Sequence, residues 1–317
     1  MAYYDIDNKG KLSVSPSPHI SSTASTRKVM LHVLIALMPA LGVSVWVFGV
    51  RALILTLWTA AFAVGTEAVC NKLRKRPLTT GDLSAAVTGV LLAFNLPSTL
   101  PLWEAAIGAF VSIAVVKQLF GGLGQNFANP AIVGRIVLML SFTADMTHWV
   151  KPFERGVDAV TAATPLVTKQ AGYLDLFLGK CGGCLGEVSA AALLVGFIYL
   201  LAVRVITPHA TLAFAGTVFV FSWFAGEDPV FQILAGGVML GAVFMATDYV
   251  TTPITPLGKV IFGVGCGIIT CVIRFYANYA EGVSFSILIM NILTPYIDRF
   301  TERRPLGTEK SRRRADA

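Results

Sequence analysis

Threonine hydroxyls in one short polar stretch carry the most distinctive chemistry open to this chain. The segment Asp158-Ala-Val-Thr-Ala-Ala-Thr164-Pro165-Leu166 lies between long apolar runs, and Thr161, Thr164 and, just beyond, Thr168 are its candidate hydroxyls. A threonine hydroxyl becomes a nucleophile only beside a base or a metal, and a single segment supplies neither. A group attached here would have to be put on by a separate enzyme. Ala162 and Ala163 leave that enzyme access, and Pro165 biases Thr164 toward an extended backbone that presents its side chain. On composition alone, the same stretch reads as an ordinary Thr/Ala loop.

Other residues invite chemistry with less support. Cys181-Gly-Gly-Cys184 has the spacing of a redox pair or half a metal site. No second cysteine pair or nearby histidine completes a metal set, so no metal site is expected and the two read as incidental thiols or an external disulfide. Cys266 and Cys271 read as packing residues. His148, the histidine nearest the threonine loop, reads as a surface group. Arg135 falls inside an apolar run, where a charge is costly and faces a cavity or a partner. It could line a ligand or ion path, or pair structurally with Asp248 or helix carbonyls. Asp248, beside Thr247 and Thr251, could line an ion or polar-ligand site or cap the next turn. Asn95 and Asn291, each near a proline, read as helix-breaking groups at span ends. No nucleotide-binding fingerprint with strand context is present.

The elements that must position these residues are membrane spans. The 317-residue chain is 55% hydrophobic and 14% charged, against roughly 25% charged in soluble domains. That much apolar surface cannot be hidden in water. The net charge of +7 does not signal nucleic acid, because the basic residues gather at membrane borders: Asn71-Lys-Leu-Arg-Lys-Arg76 and the tail from Arg299 to Arg314. The polar first 28 residues contain no apolar run, so no cleavable signal peptide is expected and the first span acts as the insertion signal.

Ten spans are predicted near 30–49, 52–70, 83–98, 102–119, 128–143, 188–206, 210–225, 230–247, 259–276 and 283–297. The expected fold is all-α and polytopic. A segment 1–28 precedes five helices within 29–143; a loop 144–187 follows, then five helices within 188–297 and a basic tail 298–317. Several spans are shorter than the roughly 20 residues a straight crossing needs. The third ends at Asn95-Leu-Pro97 and the eighth at Thr247-Asp248, which suggests broken helices whose free backbone groups protein or a cavity must cover. Even parity puts both termini on one side, and the basic border at 71–76 and the tail then both fall in the cytoplasm. Thr164 falls on the opposite side. Pro101-Leu102 with Gly108 and Pro256-Leu257 with Gly263 share an offset of 155 residues. This points to two inverted five-helix repeats, an arrangement that places binding sites at the repeat interface.

Several blocks resemble one family. They are Phe120-Gly-Gly-Leu-Gly-Gln-Asn126, Asn129-Pro-Ala-Ile-Val-Gly-Arg135, Asp158–Leu166, Met245-Ala-Thr-Asp248, Glu281–Asn291 and Pro295-Tyr-Ile-Asp298. In that order, over roughly residues 28–300, the chain resembles the RnfD family, membrane components of the Rnf ion-translocating electron transport complex. More distantly it resembles NqrB of the sodium-pumping NADH:quinone oxidoreductase. The short polar head favours the former. The family's attachment pattern is Ser or Thr, a small residue, then Ala-Thr. Thr161-Ala-Ala-Thr164 fits it, with Ala162 where Gly or Ser is usual.

The resemblance implies FMN joined by a phosphoester to Thr164, with Asp158, Thr161, Ala163 and Pro165 beside it. It also implies a non-covalent riboflavin toward the cytoplasmic side, with Asn129, Arg135 and Asp248 as candidates for that second flavin or for an ion path. The expected activity belongs to a redox-driven ion translocase of the bacterial inner membrane, moving Na⁺ or H⁺ as electrons pass between ferredoxin and NAD modules. This chain holds no complete active site. Implied partners are an FMN subunit on the outer, periplasmic side, iron–sulfur subunits, membrane lipid and a flavin transferase. A small-solute channel or secondary transporter without a covalent cofactor is the alternative.

Overall fold

The computed structural model describes residues 25–153, 166, 172–277 and 282–302. Thr164 and its neighbours Asp158, Thr161, Ala163 and Pro165 lie outside the described residues. Those described form helices, with no strand among them. Three helices are long and apolar enough to cross a membrane: Thr26–Phe48 (α1), Val50–Leu73 (α2) and Pro256–Tyr276 (α12). Shorter apolar helices are Ser84–Phe94 (α3), Pro130–Ser141 (α5), Ala190–Ala202 (α8) and Pro208–Phe224 (α9). Leu102–Phe110 (α4) continues as a π-helix over Val111–Gln118. Thr143–Met146 (α6) and Tyr173–Leu178 (α7) are short helical turns. Pro229–Leu234 (α10) and Val238–Leu240 (α11) form one interrupted helix, whose end is a second π segment, Gly241–Met245. Val283–Thr301 (α13) closes the described fold.

Local chemistry explains the starts. Asn129, Thr207, Asp228 and Thr255 each stand immediately before a proline at the first helical position. A short polar cap followed by proline suits a helix start, since proline lacks only an N–H that would have no helical partner there. The side chains of Asn129, Asp228 and Thr255 accept from first-turn amides.

The helices run between two faces. One, face I, carries the starts of α1 and α12 and the ends of α2 and α4; there the Arg76 Nη1 donates to Gly121 O at 3.0 Å. Face II carries the α1–α2 turn, the start of α4 and the end of α12; there Arg51 donates to the carbonyls of Ser98 and Leu100. Thus α4 runs from face II to face I, whereas α12 runs from face I to face II. The proline-opened helices that share the sequence offset are therefore antiparallel, as inverted copies must be. α9 packs along α12 as α2 packs along α4.

Close packing relies on missing side chains. A Cβ on Gly196 would sit 2.4 Å from Ala36 O, where α8 meets α1, and one on Gly263 would sit 2.5 Å from Ala210 O, where α12 meets α9. Lipid provides no hydrophobic drive between helices, so such backbone approach, with its dispersion contacts, supplies cohesion instead. The outside is correspondingly apolar, with Ile35, Met38, Ile54, Leu57 and Ile198 exposed.

Candidate functional site

The two interrupted helices meet in the interior, and their free backbone groups organise the polar core. α3 stops at Phe94, and Asn95 caps it with its Nδ2 donating to Leu91 O at 2.6 Å. The segment after α7 folds onto this end: Gly186 N donates to Phe94 O at 2.8 Å and Leu185 N to Leu96 O at 3.0 Å. Carbonyls that a broken helix would strand in lipid are thus satisfied. The α10–α11 break lies across from it, at Ala235-Gly236-Gly237.

Arg135 joins these breaks. Its Nη1 donates to Asn95 Oδ1 at 2.6 Å and to Glu187 Oε1 at 3.1 Å, and its Nη2 lies 3.5 Å from Cys184 Sγ. Glu187 in turn presses on Gly237, where an added Cβ would meet Oε1 at 2.7 Å. Both members of the pair are buried. The pairing of Arg135 with Asp248 that the sequence allowed is therefore corrected. The partner is Glu187, because α5 carries Arg135 six residues past Asn129, about 9 Å further along the helix, while Asp248 stays near Asn129.

Asn129 and Asp248 do come together. Asn129 Nδ2 donates to Met245 O at 3.4 Å. With the Asn291 amide oriented to satisfy both neighbours, its oxygen accepts from Asn129 N at 3.0 Å and its nitrogen donates to Thr251 O at 3.3 Å. Thr251 Oγ1 donates to Asp248 Oδ2 at 3.0 Å. Asp248 is thus a turn-stabilising group and also a wall of the same cavity that Asn129 lines. Asn291 is not at a span end as the sequence suggested: α13 continues through Pro295, leaving Asn291 mid-helix.

That cavity, about 80 Å³, opens near face I between the halves, with Ser84, Lys117, Asn126 and Phe244 among its walls. It adjoins a second of about 310 Å³, and both are lined by Val205, Ile206, Thr247, Asp248 and Tyr249. Lys117 is an unforeseen charge here, only 2% exposed. Its Nζ lies 2.8 Å from Glu67 Oε1 and 2.6 Å from Ser84 Oγ. The π segment of α4 carries Lys117 and also Gln118, whose Nε2 donates to the same Glu67 oxygen at 3.1 Å. Widened helical turns of this kind recur at functional sites. The available signal was a charge in each of two apolar runs, Glu67 and Lys117. Among the described residues no cluster of three metal-ligating side chains exists.

On face II, Leu166, two residues beyond Thr164, packs against the apolar cluster of Leu176, Cys181, Phe231 and Ala235. It also borders a polar pocket of about 370 Å³ with Glu227, Gln232, Arg274 and Tyr276.

The NQR2, RnfD, RnfE family matches residues 13–307. The chain belongs to this family. The D subunit of the Na⁺-translocating ferredoxin:NAD⁺ oxidoreductase complex of Acetobacterium woodii is 47% identical, with 98% of this chain and 100% of the relative covered. Its counterpart in the proton-translocating ferredoxin:NAD⁺ oxidoreductase complex of Clostridium ljungdahlii is 42% identical over 95% of this chain and 98% of the relative. The counterpart in the ion-translocating oxidoreductase complex of Stutzerimonas stutzeri is 37% identical over 90% and 93%.

In this NQR2, RnfD, RnfE family member, Cys181 and Cys184 are buried thiols with no disulfide between them. The Cys181 Sγ lies 3.5 Å from Val188 O, and Cys184 Sγ lies 3.2 Å from Asn95 O. Burial pushes the Cys181 thiol up to about 12, helped by Glu187, and burial also raises that of Cys184. At pH 8 roughly one Cys181 in 10⁴ is then thiolate, the reactive form. Maleimide at pH 8 should therefore modify half-buried Cys70 in the native chain and leave Cys181 and Cys184 untouched until the chain is denatured, as read by mass spectrometry. Native labelling of Cys181 at the rate of Cys70 would contradict this burial.

Proposed function

We propose that the chain is the flavin-carrying membrane subunit of an Rnf-type ferredoxin:NAD⁺ oxidoreductase complex that drives Na⁺ or H⁺ across the bacterial inner membrane. The observation that carries the reading is the near-full-length likeness to the D subunits of such complexes, joined to the Thr161-Ala-Ala-Thr164 pattern. FMN is held on Thr164 by a phosphoester made by a separate transferase. Face I, with Lys72, Arg74, Arg76, Lys259 and Arg299 at its helix ends, is the cytoplasmic one by the positive-inside rule, and both termini lie there. Thr164 is then periplasmic, reached by an FMN subunit on that side, and iron–sulfur subunits serve the ferredoxin and NAD ends.

The paired cavities near face I suit a riboflavin. Together they fall within the roughly 300–1,000 Å³ typical of ligand sites, with apolar walls and few convergent polar groups. Asn129, Asn126 and Thr88 would hold ring or ribityl oxygens there, and Asp248 would accept from a hydroxyl. When bound, flavins supply one- and two-electron chemistry, while the protein sets position and electrostatics. Arg135, turned toward Glu187, supports the frame around the site. The energetics allow the coupling: moving one charge against about 150 mV costs roughly 3.5 kcal/mol, and two electrons dropping about 75 mV release as much.

In-gel flavin fluorescence after denaturation is the test. The chain expressed with a flavin transferase should give a fluorescent band, and Thr164→Val should lose it entirely. A dark wild-type band would sink the reading in favour of a solute channel or transporter without a covalent cofactor.

A further inference from the structure

We infer that the adjoining ends of α2 and of the π segment that continues α4 form a face I site for the phosphate headgroup of an anionic phospholipid. Its cations are Lys72, Arg74, Lys75 and Arg76.

The two helices stop side by side, and both stop in the same way. At the end of α2, Arg76 N donates to Asn71 O at 2.9 Å and Lys75 N to Lys72 O at 3.2 Å. At the end of the π segment, Gly122 N donates to Lys117 O at 2.9 Å and Gly121 N to Gln118 O at 3.2 Å. Each is the two-bond closure that places a residue of positive φ just past the helix, usually glycine. Gly121 (φ +129°) follows that preference, whereas α2 has Lys75 (φ +52°) in the position. A side chain is strained in that conformation, so Lys75 stands there against the local preference.

Arg74 and Arg76 reach across to the other helix end. Arg74 Nη1 donates to Gln118 O, and Arg76 Nη1 donates to Gly121 O at 3.0 Å. Each bond uses one of a guanidinium's five N–H groups and fixes the fork in place. Gly122 and Gly124 beside them have φ +107° and +90°, and a Cβ on either would meet nothing within 4 Å. The loop therefore presents bare backbone that a headgroup can approach closely.

Charge balance points to an anion from outside the chain. Two helix C-termini together carry about one negative charge, against four cations. Among the described residues none of the four pairs with a carboxylate. Asp82, on the turn between α2 and α3, accepts from Ser84 N and Ser84 Oγ at 2.8 and 2.6 Å. Set against the cations in full, it still leaves about two positive charges unmatched. A phosphodiester is an anion that a guanidinium fork takes through two N–H groups. The surroundings favour a lipid over a soluble anion. Leu73, Leu78, Leu119, Phe120 and Phe127 are exposed around the same cations. The headgroup layer of a bilayer accommodates both kinds of group, since apolar side chains enter the acyl boundary while cations meet phosphate.

The test uses the full chain in neutral detergent at about 150 mM salt, titrated with phosphatidylglycerol or phosphatidylcholine, with bound lipid counted by native mass spectrometry. The wild type should bind phosphatidylglycerol roughly 30-fold more tightly, about fivefold for each unmatched charge. Lys72→Gln combined with Lys75→Gln should lose most of that preference. Lys75→Gly supplies the residue that the turn prefers, so it should unfold no earlier than the wild type yet bind phosphatidylglycerol about fivefold more weakly. That variant separates the headgroup role from folding. Arg299→Gln, on face I in the other half, should change the affinity less than about twofold. Equal affinity of the wild type for the two lipids overturns the site, as does unchanged phosphatidylglycerol affinity in Lys75→Gly. An Arg299→Gln loss as large as that of Lys75→Gly means a diffuse charge field and overturns it too. Displacement of the lipid by an equal concentration of inorganic phosphate would make this a free-anion site. Unchanged lipid affinity in a double variant that no longer assembles with other subunits would assign the patch to an acidic protein. Either result overturns the lipid assignment, and no outcome here bears on Thr164.

Discussion

Lys117→Met should destabilise the folded chain by about 3–5 kcal/mol, the usual cost of stripping one partner from a buried ion pair. Glu67, 1% exposed, would keep only the neutral donors Gln118 Nε2 and Thr79 Oγ1, each at 3.1 Å from Oε1. Its Oε2 already has no partner, so the charge has no other route to compensation. Pairing Lys117→Met with Glu67→Gln removes both charges, and the double variant should regain most of the loss. The coupling is read from a double-mutant cycle of thermal unfolding in detergent. A single variant within about 1 kcal/mol of wild type would mean that water or lipid headgroups reach Glu67, and would refute the sealed pair. Because Lys117 also walls the face I cavity, the double variant separates the pair's structural part from any part in ligand binding.

Arg135→Met should do comparable damage, about 3–5 kcal/mol, in a different place. It strands the Glu187 carboxylate against Gly237 and leaves Asn95 Oδ1 without its 2.6 Å donor. Both helix breaks lose their common strut. Local opening should follow before global unfolding, since the segment carrying Cys184 is held to α3 by the bonds of Gly186 and Leu185 and by Cys184 itself. Native maleimide labelling of Cys184, absent in wild type, should therefore appear in Arg135→Met. Arg135→Lys should be intermediate, because an ammonium cannot reproduce the planar fork that reaches Asn95, Glu187 and Cys184 together. Cys184 remaining fully protected in Arg135→Met would count against the strut.

Much of this architecture is legible in the residues alone. The apolar runs predict every long helix, since a membrane helix must satisfy its backbone internally and so writes its length into composition. The break after Phe94 and the end of the interrupted helix near Thr247-Asp248 are readable too, the first from a proline after a short run. The offset between Pro101 and Pro256 foretells two antiparallel helices with matching starts. Asn129 and Asp248, both singled out from their sequence blocks, do line one cavity.

The charge pairings are not legible, for one reason. Glu187, Arg274 and Lys117 are visible as charges, but a charge in an apolar run says only that it has a partner. The sequence offered Arg135 either Asp248 or helix carbonyls, and the length of α5 together with the fold of the 181–188 segment gave it Glu187 instead. The π turn of α4, which aims Lys117 at Glu67, has no residue signature. Gly236 falls inside the span predicted near 230–247, and nothing in that run shows that the chain turns there with Leu166 and Arg274 against it. Sequence by itself determined the all-helical membrane class, the family and the threonine motif, because these depend on composition and local order. Tertiary structure alone decided which buried charges meet, because pairing over a separation of 50 residues in Lys117–Glu67 is set by the packing of helices and not by any local pattern.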